Sequence, residues 1–235
     1  MEIAVELTPD STILWQAGPL VLNATILYTW LVMALLVLAS WAVTRNLSAG
    51  ANPSRWQTVL ETVVVFVTDQ IRDITGRDPR PFLPFVGTLF LFISISNLLA
   101  PVPIYEAPTG SLSTTAALAI CVFFAVPIYG VTQQGLVTYL KHYVRPSPIM
   151  LPFQVIGELS RTVALAVRLF GNVMSGSMIA AILLSIVPLF LPVVLQVLEL
   201  VIGQIQAYIF AVLATVYIAS AMRSPEEQRK SARNR

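Results

Sequence analysis

Five long apolar runs, at about 22–43, 82–101, 114–131, 151–187 and 192–221, divide the chain, and its Lys and Arg are almost all confined to the stretches between them and after them. A bilayer core takes about 20 helical residues to cross. Lipid offers the backbone no hydrogen-bond partner, so a crossing segment satisfies its own N–H and C=O groups by becoming a helix. The pattern therefore predicts an all-α integral membrane protein with about five membrane helices. The last two runs exceed a perpendicular crossing, so they are expected to be steeply tilted or packed within protein. Charged residues make up only 11% of the chain, against about 25% in a soluble domain.

Residues 56–76 differ from these runs. Val59, Val63, Phe66 and Ile71 mix there with Glu61, Asp69, Arg72 and Asp73, the pattern of an amphipathic helix at the membrane surface. The run TGRDPRP at 75–81 ends it with two prolines. A second polar connection, 133–148, carries Lys141, His142 and Arg145, and the tail from Arg223 is highly charged. No internal repeat or second domain is visible. One membrane domain, 1–235, is expected: an outer segment 1–21, helices and loops over 22–222, and a cytoplasmic tail 223–235.

Charge sets the expected orientation. Arg45, Arg55, Arg72, Arg77 and Arg80 lie between the first two runs. Lys141 and Arg145 lie between the third and fourth, and Arg223, Arg229, Lys230, Arg233 and Arg235 follow the fifth. Segments 1–44 and 102–113 hold acids but no Lys or Arg. The excess of Lys and Arg on cytoplasmic loops puts the N-terminus outside and the C-terminus in the cytoplasm. Five crossings also require opposite ends.

Several function classes are excluded or disfavoured. Cys121 stands alone, so the chain holds no internal disulfide or CxxC site. The acidic start MEIAVELTPD lacks the basic region of a cleaved signal peptide. No basic run with interleaved aromatics points to nucleic acid. No GxxxxGK[ST] loop, HExxH helix or nucleophile elbow is present, so no enzyme chemistry, cofactor or metal is expected in this chain.

Four charges remain at membrane depth: Glu158, Arg161, Arg168 and Glu199. Each costs about 2.5–3.5 kcal/mol on insertion-based scales, and such residues face a bundle interior or a water-filled path. Gln154, Glu158, Arg161, Arg168, Asn172 and Ser175 form one polar stripe along the fourth run; Gln196, Glu199, Gly203 and Gln206 form another along the fifth. Two stripes on connected helices suggest a wet route. Small residues, among them Gly171, Gly176, Ala207, Ala211 and Ala214, allow close helix approach. An arginine stays protonated, so it cannot relay a proton. It can lower the proton affinity of a nearby carboxylate. At 4 Å and an effective dielectric near 20 the attraction is about 4 kcal/mol, roughly three pKa units before desolvation. Blander readings stand beside this one. Arg161 and Glu158, at i, i+3, can form a structural ion pair. Asn172 and Ser175 can bond helix backbone, Gln206 can join helices, and Glu199 can be a structural acid.

The run SRTVALAVRLFGNVMSG (160–176) closely resembles the signature of the subunit a family of F-type ATP synthases. IQAYIFAVLATVYIASA (205–221) resembles that family's last helix, and PTGSLSTTAALA (108–119) resembles the entry to its middle spans. The resemblance implies a long tilted hairpin facing a ring of c subunits, with two offset half-channels carrying H+ or Na+ to and from ring carboxylates. It also implies subunit b of the peripheral stalk as a partner, the soluble ATPase head as an indirect one, and a prokaryotic cell membrane as the site. The family's essential arginine falls on Arg168, its functional asparagine on Asn172 and its last-helix glutamine on Gln206. Its half-channel position one heptad earlier falls on Glu199, and its acid before the essential arginine resembles Glu158. The family often has Lys-Pro where this chain has Arg161-Thr162, and an acid or His where it has Ser177. Arg161 and the short N-terminus resemble the sodium-associated branch of the family. The competing readings are a stand-alone secondary transporter centred on Glu199, which inverted repeats would favour, and a membrane scaffold.

Overall fold

The structure is a computed structural model that describes residues 13–17, 20–45, 55–102, 105–136, 139, 150–186 and 191–222. The charged tail 223–235, the segment 1–12 and the connection residues Lys141, His142 and Arg145 lie outside the described residues.

Among the described residues, six α-helices carry the fold: α1 (Ala24–Thr44), α2 (Arg55–Thr75), α3 (Leu83–Leu98), α4 (Leu112–Gln134), α5 (Met150–Ile186) and α6 (Leu191–Met222). Before them, β1 (Ile13–Ala17) and β2 (Leu20–Asn23) pair antiparallel, with Ala17 opposite Leu20 and Ile13 opposite Asn23. The sequence reading treats this stretch as an undivided outer segment. The apolar run VLNATILY continues into α1 without a break in hydropathy, so periodicity does not mark the hairpin.

Among the described helices, α1, α4, α5 and α6 are long and apolar enough to cross a membrane. The second apolar run is shorter: α3 has 16 residues, about 24 Å of helix at 1.5 Å per residue against a core of about 30 Å. The chain continues past its end in tight turns, with Ala100 N–H bonding to Asn97 C=O and Val102 N–H to Leu99 C=O. Pro101, which has no N–H, prevents the helix from continuing. By contrast α5 has 37 residues and α6 has 32, both longer than a perpendicular crossing requires.

The last helix is the hub. Its buried face sets the small residues Ala207, Ala211, Ala214 and Ala219 around Phe210 and Ile218. Lipid tails are as apolar as these side chains, so close van der Waals fit and interhelical hydrogen bonds must supply the attraction. One core gathers Phe92 and Ile93 of α3, Val122 of α4, Leu165 and Leu169 of α5 and Phe210 of α6; Val32 of α1 joins it. A second joins Val67 and Ile71 of α2 to Val86, Val126 and Ile218. The amphipathic helix expected over 56–76 is thus α2, Arg55–Thr75. One edge of α2 packs on the bundle, with Phe66 tilted against Tyr208 of α6 and Gln70 accepting a 2.8 Å bond from the Tyr208 hydroxyl.

Polar clamps fix the register of α3 against α6. Asn97 Nδ2 donates to Gly203 C=O at 2.9 Å, and Thr109 Oγ1 donates to Asn97 Oδ1 at 2.7 Å. Ser94 and Gln204 bond reciprocally, the serine hydroxyl to Gln204 Oε1 and Gln204 Nε2 to the Ser94 carbonyl. A Cβ on Gly203 would stand 2.8 Å from Asn97 Cβ, so only glycine permits this approach. Asn97 and Thr109 are both buried, where an unpaired polar group would be costly.

Candidate functional site

The polar stripe of α5 does not face a single space. Gln154, Glu158, Arg161 and Thr162 line a cavity of about 410 Å³ with Tyr217 and Ser220 of α6 and Tyr139. Asn172, Ser175 and Gly176 line a second cavity of about 190 Å³ with Gln196, Glu199, Gly203 and Gln206 of α6 and Asn97 of α3. The larger cavity lies where α5 begins and α6 ends; the smaller lies toward the opposite end of both helices. Arg168 lines neither, and it falls between the two along α5. Helical rise puts Arg161 and Asn172 about 16 Å apart along the axis, with Arg168 about 6 Å from the level of Asn172.

Arg168 is exposed on the side of α5 turned away from its buried neighbours Leu165, Ala166 and Leu169. No hydrogen bond or ion pair to it occurs among the described residues. A guanidinium placed this way on an apolar helix needs a charge or water beyond the described residues. The outward faces of both long helices beside it are apolar, with Val163 and Val167 on α5 and Val201 and Ile205 on α6 exposed.

The smaller cavity holds the acid. Glu199 is half-buried, and its carboxylate lies against Gly176: a Cβ there would stand 2.6 Å from Glu199 Oε1, so the side chain would have to shift. Gln206, 3% exposed, accepts a 2.7 Å hydrogen bond from Asn172 Nδ2. Ser175 Oγ donates to the Asn172 carbonyl of its own helix at 3.1 Å, the backbone bond considered for it from sequence. Gln196 reaches Pro101 C=O at 3.4 Å. Ser177 is exposed, lines neither cavity and bonds its own helix at Met174 C=O. One residue of helix rotates it about 100° from Gly176 and away from the acid.

In the larger cavity the expected Arg161–Glu158 pair is not among the described ion pairs, which are Arg72–Asp69 and Arg80–Asp78. The Arg161 guanidinium lies over the Tyr217 ring, 5.5 Å from its centroid. Sequence reasoning names Arg161 but misses Tyr217, as it misses Asn97 and Thr109. The one sequence signal for Asn97 is a carboxamide inside an otherwise apolar run; its partner on α6 is beyond the reach of any local pattern.

Chemically, the arrangement offers two polar spaces on opposite sides of one exposed, permanently charged group. One holds a carboxylate beside a carboxamide pair, the other an acid and a second arginine. Polar side chains around a fixed charge on apolar helices suit the passage of an ion.

Comparison with known proteins agrees in kind. The family model described as ATP synthase A chain matches residues 26–219. The chain is similar to "ATP synthase subunit a 2" of Acaryochloris marina (strain MBIC 11017), 61% identical over 217 residues, 92% of this chain and 93% of that one. It is 57% identical over 227 residues to "ATP synthase subunit a 1" of Crocosphaera subtropica (strain ATCC 51142 / BH68), covering 97% and 98%. It is 56% identical over 217 residues to "ATP synthase subunit a" of Nitrosospira multiformis (strain ATCC 25196 / NCIMB 11849 / C 71), covering 92% and 86%.

Proposed function

We propose a route for ions through this chain from the premise that it belongs to the ATP synthase A chain family, as a multi-pass, non-catalytic membrane component of the synthase. The ion enters one of the two cavities, loads a carboxyl on a neighbouring ring of c subunits, is carried round, and leaves through the other. Arg168 faces the ring carboxyls, makes each release its ion as it arrives, and blocks direct leakage between the cavities.

The observation that carries this reading is the position of Arg168 between two separate polar cavities rather than inside one. A single continuous cavity would short-circuit the membrane. Two that are offset along α5 require a moving carrier to join them. The magnitudes are adequate: about 4 kcal/mol of attraction at 4 Å suffices to discharge a carboxyl, and a membrane potential supplies about 2.3 kcal/mol per charge per 100 mV.

The smaller cavity opens to the outside, with Glu199 as its ion-handling acid, and Asn172 and Gln206 hold its inner lip. The larger opens to the cytoplasm, with Glu158 and Arg161 on its wall. This assignment uses the charge asymmetry of the loops, with the N-terminus outside and the C-terminus in the cytoplasm of a bacterial cell membrane. Subunit b, the peripheral stalk and the soluble head are the remaining partners. Whether H+ or Na+ is carried depends chiefly on the binding site of the ring; the sodium-associated resemblance of Arg161 is tested by the Na+ dependence of pumping.

Accessibility from the two sides of the membrane tests the route. In a background with Cys121, an exposed residue, replaced by Ser, single cysteines at Ser175 and Thr162 are treated with a membrane-impermeant thiol reagent. Ser175→Cys is expected to react from the outside and Thr162→Cys from the cytoplasm. Reaction of both from the same side would overturn the two-cavity route. Purification in mild detergent addresses the transporter alternative: a c-ring and stalk that copurify support the rotary reading, and a stable, transport-competent chain alone defeats it.

A further inference from the structure

The two intramembrane arginines are seven residues apart on α5 and share a helix face by spacing. A second mobile guanidinium beside Arg168 would compete for the same passing carboxyl. The structure turns Arg161 elsewhere. Its guanidinium crosses from α5 to α6 and lies over the Tyr217 ring, 5.5 Å from the centroid, at the wall of the larger cavity. This ring contact is the interaction described for that side chain. Such a contact draws on the negative face of the ring and strengthens where water is scarce. Tyr217 is itself half-buried and packed against the main core, so the ring is a fixed platform. The other described titratable groups lining this cavity are Glu158 and Tyr139.

We propose that Tyr217 is a positioning residue: it holds Arg161 in the larger cavity, away from the face used by Arg168, and so gives the two arginines separate tasks. Arg168 alone meets the ring carboxyl. Arg161 sets a fixed positive charge on the wall of the ion's path at the opposite end from Glu199, which raises the concentration of cation needed to load from that side and favours release there. The inference rests on the reading of the cavities as an ion route.

A double-mutant cycle in the assembled synthase, reconstituted in vesicles, tests it. Tyr217→Leu is expected to lower coupled transport several-fold and to shift the half-saturating ion concentration on the cytoplasmic side, with no change in the amount of complex. Tyr217→Phe keeps the ring face and is expected to behave like the unsubstituted protein. In an Arg161→Gln background, Tyr217→Leu is expected to have no further effect. An equal loss in both backgrounds, or a loss in Tyr217→Phe matching that in Tyr217→Leu, overturns the inference. If Tyr217→Leu lowers the amount of complex, Tyr217→Met, which fills similar volume without a ring, takes its place with the same expectations. Arg168→Ala run in parallel separates the two levels. Coupled pumping retained there overturns the ion route itself, whereas its loss together with additive Tyr217 and Arg161 effects overturns this inference alone.

Discussion

Asn172 Nδ2 donates to Gln206 Oε1 at 2.7 Å, and among the described residues this is the one side-chain hydrogen bond between α5 and α6. It sits one helical turn beyond Arg168, at the inner lip of the cavity that holds Glu199. The bond therefore fixes the two long helices to each other beside that cavity, one turn from the arginine.

Asn172→Ala leaves the buried Gln206 oxygen without this partner, at a cost of about 1–2 kcal/mol. The expected outcome is a several-fold fall in ATP-driven pumping per assembled complex. Vesicle acidification or Na+ uptake, normalised to the amount of complex in the membrane, measures it; unchanged pumping would show the bond to be dispensable.

Arg168→Ala removes the exposed charge without disturbing any described hydrogen bond or ion pair. Assembly is expected to persist. Loss of about 4 kcal/mol of attraction leaves the ring carboxyl holding its ion more tightly by roughly three orders of magnitude, which is expected to abolish coupled transport. Normal pumping in this variant sinks the central assignment.

Glu199→Gln keeps the shape of the side chain and removes its charge. Transport that begins from the side of the smaller cavity is expected to fall by about 10²-fold, the lower end of what loss of a positioned proton-handling group costs. Rates measured with the gradient imposed in each direction distinguish this from a structural acid, whose removal would lower both alike.

Gly176→Ala places a methyl 2.6 Å from Glu199 Oε1. Either the carboxylate or α6 must shift, so the variant is expected to lose transport several-fold while still assembling. Glu199→Asp, shorter by one methylene, is expected to restore part of it. Equal transport in the single and double variants would argue against a steric cause.

Asn97→Leu removes both the bond to the Gly203 carbonyl and the acceptor of Thr109. Leaving a buried hydroxyl unpaired costs about 1–3 kcal/mol. The added bulk also falls where Gly203 approaches most closely. The expected readout is a lower temperature of thermal inactivation for the purified complex; an unchanged temperature would place the α3–α6 register elsewhere, with Ser94 and Gln204.

The helices were largely legible from the residues, because each depends on its own stretch of chain. The runs at 114–131, 151–187 and 192–221 fall within two or three residues of α4, α5 and α6. The second run, about 82–101, extends three residues past the end of its helix. Apolar Leu99 and Ala100 continue the hydropathy, but the helix stops at Leu98 and the chain turns toward the Pro108–Gly110 turn. Arg168, Asn172, Glu199 and Gln206 stood out as polar groups that lipid would not tolerate, and three of them do line one cavity. Ser177 did not join them, because a residue next to the right position on a helix points to a different side.

By itself the sequence determined the solvent of this chain, the extent of its apolar runs, and the few charges left inside them. These follow from hydropathy and from the period of the α-helix, which act over a few turns. Tertiary structure decided what those charges face. It divided one polar stripe on α5 between two cavities, left Arg168 between them, and turned Arg161 from Glu158 to Tyr217. It also set α3 against α6 through Asn97 and Gly203, 106 residues apart in the chain. The physical reason is that helix periodicity fixes the face on which a side chain lies. Only the axial offset and rotation of neighbouring helices, set by packing among glycine, alanine and a few long-range hydrogen bonds, fix what meets that face.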